Sequence, residues 1–177
     1  LENIRFLDHF DNWIEAYTEA VTPLFNGGNV EPRYIHSIID NTNRFGPYYV
    51  LAPEIALPHA RPEQGVIKKQ LGVTLLRHPV KFSEDGYDVR ILITLAASDG
   101  QSHLETLQAL SVFLMDDEQV GRLLKAQTRE EILDLFLQKQ EKKEDFLRMN
   151  ELLNVLQQIL STPSSLVGLF ALIGVVG

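Results

Sequence analysis

Five histidines are the side chains best suited to reactive chemistry near neutral pH in a chain that has no cysteine and no serine in a GxSxG turn. They are not equivalent. His9 and His36 stand on or beside amphipathic helical patterns among core-type residues, and His78 precedes Pro79 at the end of an apolar run, so each reads as a structural or surface histidine. His59 differs. Pro58 fixes the chain before it and Ala60-Arg61-Pro62 follows, a stiff loop that holds an imidazole beside a fixed cation. A neutral imidazole nitrogen can attack a phosphoryl group in line, and the charge that develops on the equatorial oxygens needs fixed cations or N–H donors, which Arg61 could supply. Taken alone, the tripeptide more often marks a surface-loop histidine with an incidental arginine. His103 sits in the first turn of a predicted helix just after a predicted central strand, where functional groups of open α/β sheets gather. It could approach His59 and orient that ring or hydrogen-bond phosphoryl oxygens, and equally it could be a polar residue at a helix start.

The elements that must carry these residues follow from periodicity. Ile4–Leu7 predicts a short strand; the Asp8/Asp11 region can cap a helix with Trp13, Ile14, Tyr17, Ala20, Val21 and Leu24 at helical spacing, stopped by Gly27 and Gly28. A second helix opens at Pro32, carries Tyr34, Ile35, Ile38 and Ile39, and breaks at Phe45-Gly46-Pro47. Tyr48–Ala52 and Ile55–Leu57 predict strand ends leading into the His59 loop, and Leu71–Leu76 a further strand. Val89–Ala96 is an almost unbroken apolar run, expected to be the central strand covered on both faces. Ser102 with Glu105 predicts a capping box for the helix of Leu104, Leu107, Leu110, Phe113 and Leu114. Helical segments then follow around Glu118–Leu124 and Thr128–Leu137, the latter capped by Thr128. Alternating strands and helices predict an α/β class with a mixed sheet flanked by helices.

Composition narrows the function classes. The chain has 177 residues, 45% hydrophobic, enough for one sizeable core with an appendage. A formal charge of -8 without any Lys/Arg-rich block argues against nucleic acid as a partner. The absence of cysteine suits a reducing compartment, with the cytoplasm as the default. The polar stretch 138–145 reads as a helix end or linker, so residues 1–145 are expected to form the main domain and 146–177 a C-terminal extension. Residues 166–177 carry no charge but are too few to cross a bilayer, which takes about 20.

Leu51-Ala52-Pro53-Glu54-Ile55-Ala56-Leu57-Pro58-His59-Ala60 resembles the phosphohistidine signature of the mannitol/fructose-type enzyme IIA family of the bacterial sugar phosphotransferase system. The resemblance runs from about Ile4 to about Leu137 and includes Asn29-Val30-Glu31-Pro32 with Tyr34, and Ser102-His103-Leu104 with Leu107 and Leu110. It implies that family's fold, phosphorylation of His59 by the phosphocarrier HPr, transfer onward to a cysteine of a IIB partner, and His103 as an assisting active-site histidine. No metal or organic cofactor is implied. One position departs: the family usually has an acidic or amide residue seven positions before Leu51, where this chain has Arg44 preceded by Asn43. Arg44 joins Arg61 as a candidate phosphoryl-stabilising residue, with a solvent-facing role as the other reading. Pro58-His59-Ala60-Arg61-Pro62-Glu63 with Gly65-Val66, preceded by Phe45-Gly46-Pro47-Tyr48, is similar to the ascorbate-type branch. Met149–Gly177 resembles the start of a membrane IIC component, which implies a truncated fusion tethered to the inner face of the membrane, against the plainer reading of a C-terminal helix on the core.

Two rivals remain at this stage. One is a regulatory module of the same fold, in which phospho-His59 changes a protein contact instead of feeding transport. The other is a metal-dependent hydrolase using His59 and His103 with Glu63 or Asp99, for which the chain offers no HExxH pair.

Overall fold

The computed structural model describes residues 2–138 together with the isolated positions Met149, Glu151 and Leu153. The chain divides into two compact units, Leu1–Leu135 and Phe136–Gly177, and the elements from Ile4 to Lys125 belong to the first. The predicted linker beyond residue 138 and the extension 146–177 lie outside the described residues except at those three positions.

Strand β1 (Ile4–Leu7) leads to helix α1 (Trp13–Asn26) and helix α2 (Pro32–Phe45). The cap of α1 is Asn12, one residue beyond the predicted Asp8/Asp11 region: its side chain accepts from Glu15 N at 3.0 Å and donates back to the Glu15 carboxylate at 3.0 Å. This reciprocal pair satisfies a donor that the first helical turn would leave unpaired. Gly27 closes α1, and Pro32 opens α2 where a missing N–H costs nothing.

Two three-residue strands, β2 (Val50–Ala52) and β3 (Glu54–Ala56), are joined by a tight turn in which Glu54 takes φ 72°. That backbone region favours glycine, and Glu54 is held there by Arg90, whose Nε donates to it at 2.7 Å and Nη2 at 3.1 Å. Long strands β4 (Gln70–Lys81) and β5 (Asp88–Ala96) follow, then helices α3 (Gly100–Leu114) and α4 (Asp117–Lys125). Strand order is β1-β4-β5-β3-β2, with β4–β5 and β2–β3 antiparallel and β1–β4 and β3–β5 parallel. The sheet is therefore mixed and β5 is its central strand, as its apolar run predicts.

Strand β4 is longer than the sequence suggests. It continues through Arg77-His78-Pro79 because its register with β5 jumps from Leu75↔Ile91 to Val80↔Val89, a bulge that accommodates a proline unable to donate to the ladder. Helix α3 also begins earlier than predicted. His103 N donates to Asp99 O at 3.0 Å, so the helix starts at Gly100 and Ser102 lies within its first turn rather than at its cap. Glu105 accordingly takes Gln101 Nε2 at 2.9 Å, one turn back. The Thr128 cap is present: Thr128 Oγ1 accepts from Glu131 N at 3.2 Å, and residues 129–138 are helical.

Ala16, Tyr17, Ala20, Val21 and Leu24 of α1 are buried with Tyr34 and Ile38 of α2 against Leu76, Val80, Val89, Leu92 and Ala96 of the sheet. Ile91, Ile93 and Leu95 alternate with Leu92 and so point to the other face, and all are at most 1% exposed. Each such side chain contributes about 1.5–3 kcal/mol of burial. The result is a rigid strand whose C-terminal end is a fixed platform.

Candidate functional site

The His59 loop hangs from that platform. Strand β3 runs parallel to β5 through Ala56↔Leu92, and the pairing resumes as a single bridge between His59 and Leu95, with Leu95 N donating to Pro58 O at 3.4 Å. On the far side of His59, the Tyr34 hydroxyl donates to Leu95 O and accepts from Ala60 N at 3.4 Å. Tyr34 is fully buried, and burial pushes its phenol pKa well up, so it stays protonated and able to bridge. A side chain of α2 thus stands in for the ladder bond that the loop cannot make. Pro62–Gln64 then form one 3-10 turn, closed by Arg61 N donating to Gln64 Oε1 at 3.0 Å.

The imidazole itself is set by a local bond. His59 Nδ1 lies 2.8 Å from Leu57 O, and since a carbonyl can only accept, Nδ1 carries the proton. The lone pair is therefore on Nε2. Burial lowers the His59 pKa from 6.5, more than the bond to Leu57 raises it, so the ring is neutral near pH 7. His103 stands beside it, ring centroids 5.1 Å apart and planes inclined at 54°. Burial, and secondarily the charge His59 would carry, lower the His103 pKa too. Among the described residues its Nδ1 is buried without a hydrogen-bond partner, an uncommitted polar atom of the kind that costs about 1–3 kcal/mol and is tolerated where function needs it. The two histidines are thus brought together from segments far apart in sequence.

The cations fall differently. Arg61 is exposed next to His59 in the chain, and its charge lowers the pKa of Tyr48 against the upward push of burial. Arg44 is exposed at the end of α2, with its guanidinium 5.0 Å from the ring centroid of its own neighbour Phe45. Among the described residues no hydrogen bond or ion pair joins Arg44 to the His59 loop. Three site neighbours were not singled out from sequence. Tyr48 meets the His59 ring edge-on at 5.6 Å, Gln64 closes the turn after it, and Asn41 donates to Gln64 Oε1 at 3.3 Å. The placing of Arg61 and Gln64 on either side of Pro62 is the local signal that such a turn leaves in the sequence.

The bland readings of His9 and His78 fit their surroundings: both are exposed and pair at 3.4 Å with Asp11 and Asp8, away from His59. Among the described residues no group of three or more His, Asp or Glu is placed to hold a metal ion. A cavity of about 820 Å³ opens beside β1 and the end of α1, lined by Arg5, Asn26 and Arg129 among others, and a second lies between Pro47 and Phe82. Neither of these two cavities is lined by a histidine, and His59 itself is part-buried.

Residues 1–139 match the family described as phosphoenolpyruvate-dependent sugar phosphotransferase system, EIIA 2. The chain belongs to this family. The ascorbate-specific PTS system EIIA component of Escherichia coli (strain K12) is 41% identical over 137 residues, covering 76% of this chain and 88% of that protein. The solution structure of the mannitol-specific cryptic phosphotransferase enzyme IIA from Escherichia coli superposes with a TM-score of 0.71 at 35% identity, covering 77% of this chain and 92% of that one. The complex of mannitol enzyme IIA with phosphorylated enzyme IIB from Escherichia coli gives a TM-score of 0.68 at 27% identity, covering 77% and 94%. This chain is accordingly an EIIA component of mannitol/ascorbate type, a transferase of the sugar phosphotransferase system, and its mixed five-stranded sheet is the EIIA fold. Among the described residues no helix is long and apolar enough to cross a membrane.

Proposed function

We propose that this EIIA component accepts a phosphoryl group from phospho-HPr on His59 Nε2 and passes it to a cysteine of a IIB component during uptake of an ascorbate-type substrate. The observation that carries the reading is the bond from His59 Nδ1 to Leu57 O, which leaves a neutral ring with its lone pair on the outer nitrogen. In the first step a P–N bond forms at Nε2 as the donor's P–N bond breaks. In the second a P–S bond forms on the acceptor thiolate as the P–N bond to His59 breaks, returning the ring to neutrality. His103 and Arg61 stabilise the phosphoryl oxygens, with Arg44 as a further candidate that would first have to leave the ring of Phe45. A phosphorylated IIB stands in complex with the related mannitol IIA, which supports the choice of acceptor class. The ascorbate assignment follows the 41% identity to the ascorbate-specific relative. Residues 1–145 form the carrier domain in this reading, and 146–177 begin a membrane IIC component that keeps the carrier near the inner face of the membrane.

The test is incubation with phosphoenolpyruvate, enzyme I and HPr, followed by intact mass. One acid-labile phosphoryl group is expected on the unaltered protein and none on His59→Gln. Labelling that survives in a folded His59→Gln variant, or that never appears with active donors, overturns the assignment.

A further inference from the structure

The segment from His59 to Gln64 is gripped from outside by residues that play no part in the phosphoryl chemistry itself. Tyr48, in the loop between α2 and β2, is 48% exposed, yet its hydroxyl donates to His59 O at 3.3 Å, and the Asn41 side chain is close enough to lower the phenol's pKa against the upward push of burial. Asn41 also donates to Gln64 Oε1, which accepts from Arg61 N, and one turn earlier on α2 Ser37 Oγ donates to Gln64 O at 3.4 Å. The polar face of α2 and the phenol together hold both ends of the loop. The Tyr48 ring adds a contact with the imidazole, centroids 5.6 Å apart and planes at 87°, and rests in turn on Tyr49 at 5.2 Å.

We propose that Tyr48 is a positioning residue for phosphoryl transfer: its ring steers the His59 imidazole toward the incoming phosphorus, and its hydroxyl, through Asn41 and Gln64, fixes the loop that carries Arg61. The proposal rests on the reading of His59 as the phosphoryl acceptor. Its logic is geometric. The bond to Leu57 O fixes one nitrogen of the ring but leaves rotation about that axis open, and in-line transfer tolerates little rotation, since misplacement by about 1 Å can cost two orders of magnitude in rate. Among the described residues, Tyr48 and His103 are the two rings in contact with His59, and they restrain this swing. The phenol is suited to the task because burial raises its pKa, so it remains a donor whenever the imidazole is neutral. Its ring, in edge contact with the imidazole at 5.6 Å, also covers part of that ring from solvent. Among the described residues, the titratable or charged groups around His59 are His103 on α3, Tyr48 itself, Tyr34 on α2 and Arg61 on its own loop, and of these His103 titrates in the same range.

Three variants separate a positioning role from a merely structural one. Tyr48→Leu removes ring and hydroxyl, Tyr48→Phe removes the hydroxyl alone, and Asn41→Ala removes the partner of the phenol. For each, the rate of phosphoryl acceptance from phospho-HPr is followed across pH, with the His59 titration by NMR and the unfolding midpoint alongside. We expect Tyr48→Leu to accept about tenfold or more slowly, with the His59 titration and the pH profile moved upward together as water reaches the ring. Tyr48→Phe keeps the wild-type pH profile and slows only a few-fold, and Asn41→Ala does the same. A Tyr48→Leu protein with wild-type rate and titration overturns the proposal, as does a loss that tracks the unfolding midpoint with no change in titration. If Tyr48→Leu does not fold, the other two variants decide, and unchanged rates in both overturn the proposal. If the unaltered protein accepts no phosphoryl group, the carrier reading falls, and an unchanged His59 titration in Tyr48→Leu overturns the positioning role on its own.

Discussion

Two tyrosines of the same core give a matched test of how the His59 loop is held. Tyr34 and Tyr17 are both fully buried, but the Tyr34 hydroxyl bridges Leu95 O and Ala60 N whereas the Tyr17 hydroxyl has no hydrogen-bond partner among the described residues. Tyr34→Phe leaves the packing intact and strands a buried carbonyl and a buried N–H. Each stranded group costs about 1–3 kcal/mol, and since the bond from Ala60 is long at 3.4 Å its share falls at the low end, giving a total near ~3 kcal/mol. Tyr17→Phe removes a polar atom that burial already penalises, so it is neutral or stabilising by up to about 1 kcal/mol. The assay is urea unfolding at constant pH, read by circular dichroism. With a slope of about 1–3 kcal/mol/M, Tyr34→Phe lowers the midpoint by roughly 1–3 M while Tyr17→Phe leaves it in place or raises it. Two variants that unfold within about 0.5 kcal/mol of each other would refute the claim that a buried phenol replaces the missing ladder bond. The same Tyr34→Phe protein is expected to accept phosphoryl groups more slowly, because Ala60 and with it His59 lose their anchor on β5.

Acid lability should follow from the histidine pair. Burial lowers both pKa values below 6.5, so these groups give their full stability above 6.5 and lose it as pH falls from there through the folded-state values. Denaturation across pH 7 to 5 should show this slope reduced in a His59→Gln/His103→Gln protein; stability that rises on acidification in the unaltered chain contradicts the sign. Gly65 takes φ 121° with a would-be Cβ 3.0 Å from Tyr34 N, so Gly65→Ala should cost about 2–3 kcal/mol in thermal or urea unfolding and slow phosphorylation with it. Glu54→Gly relieves a strained φ of 72° but gives up the two bonds from Arg90, so it should change stability by less than about 1 kcal/mol, whereas Arg90→Ala keeps the strain and loses the bonds, and should cost more than Glu54→Gly.

What could be read in the sequence was what is local or periodic. The unbroken run Val89–Ala96 marked a strand buried on both faces, Pro32 and Gly27 marked helix ends, and Pro58-His59-Ala60-Arg61-Pro62 marked a stiff loop; all three stand where expected. Boundaries set by competing donors were less legible. Ser102 with Glu105 has the form of a capping box, but Asp99 two residues before Gln101 offers its carbonyl first and the helix starts there. The bulge in β4 around Pro79 looked like a strand end because a proline interrupts any local pattern, and only the pairing with β5 carries the strand through. Contacts between distant segments left no local trace. Tyr34 read as a core residue of a helix and is one, yet its last atom ties the functional loop to β5. Tyr48 and Asn41 sit in segments with no motif for loop support, and their role depends on α2 lying alongside the turn at Pro62–Gln64.

The suspension of His59 from Leu95 has a bearing on when this chain becomes reactive. During synthesis His59 emerges well before β5, and α3 with His103 emerges later still. Until those arrive the imidazole is an ordinary solvated one, protonating near 6.5, swinging freely and without a neighbour to share a phosphoryl group. If His59 is the acceptor proposed above, nascent, cleaved or heat-opened chains are expected to accept poorly, and a donor would discriminate against them without any separate proofreading contact. On that proposal, phosphoryl occupancy of the histidine would serve as a count of folded molecules, measurable in a cell where no unfolding transition can be followed.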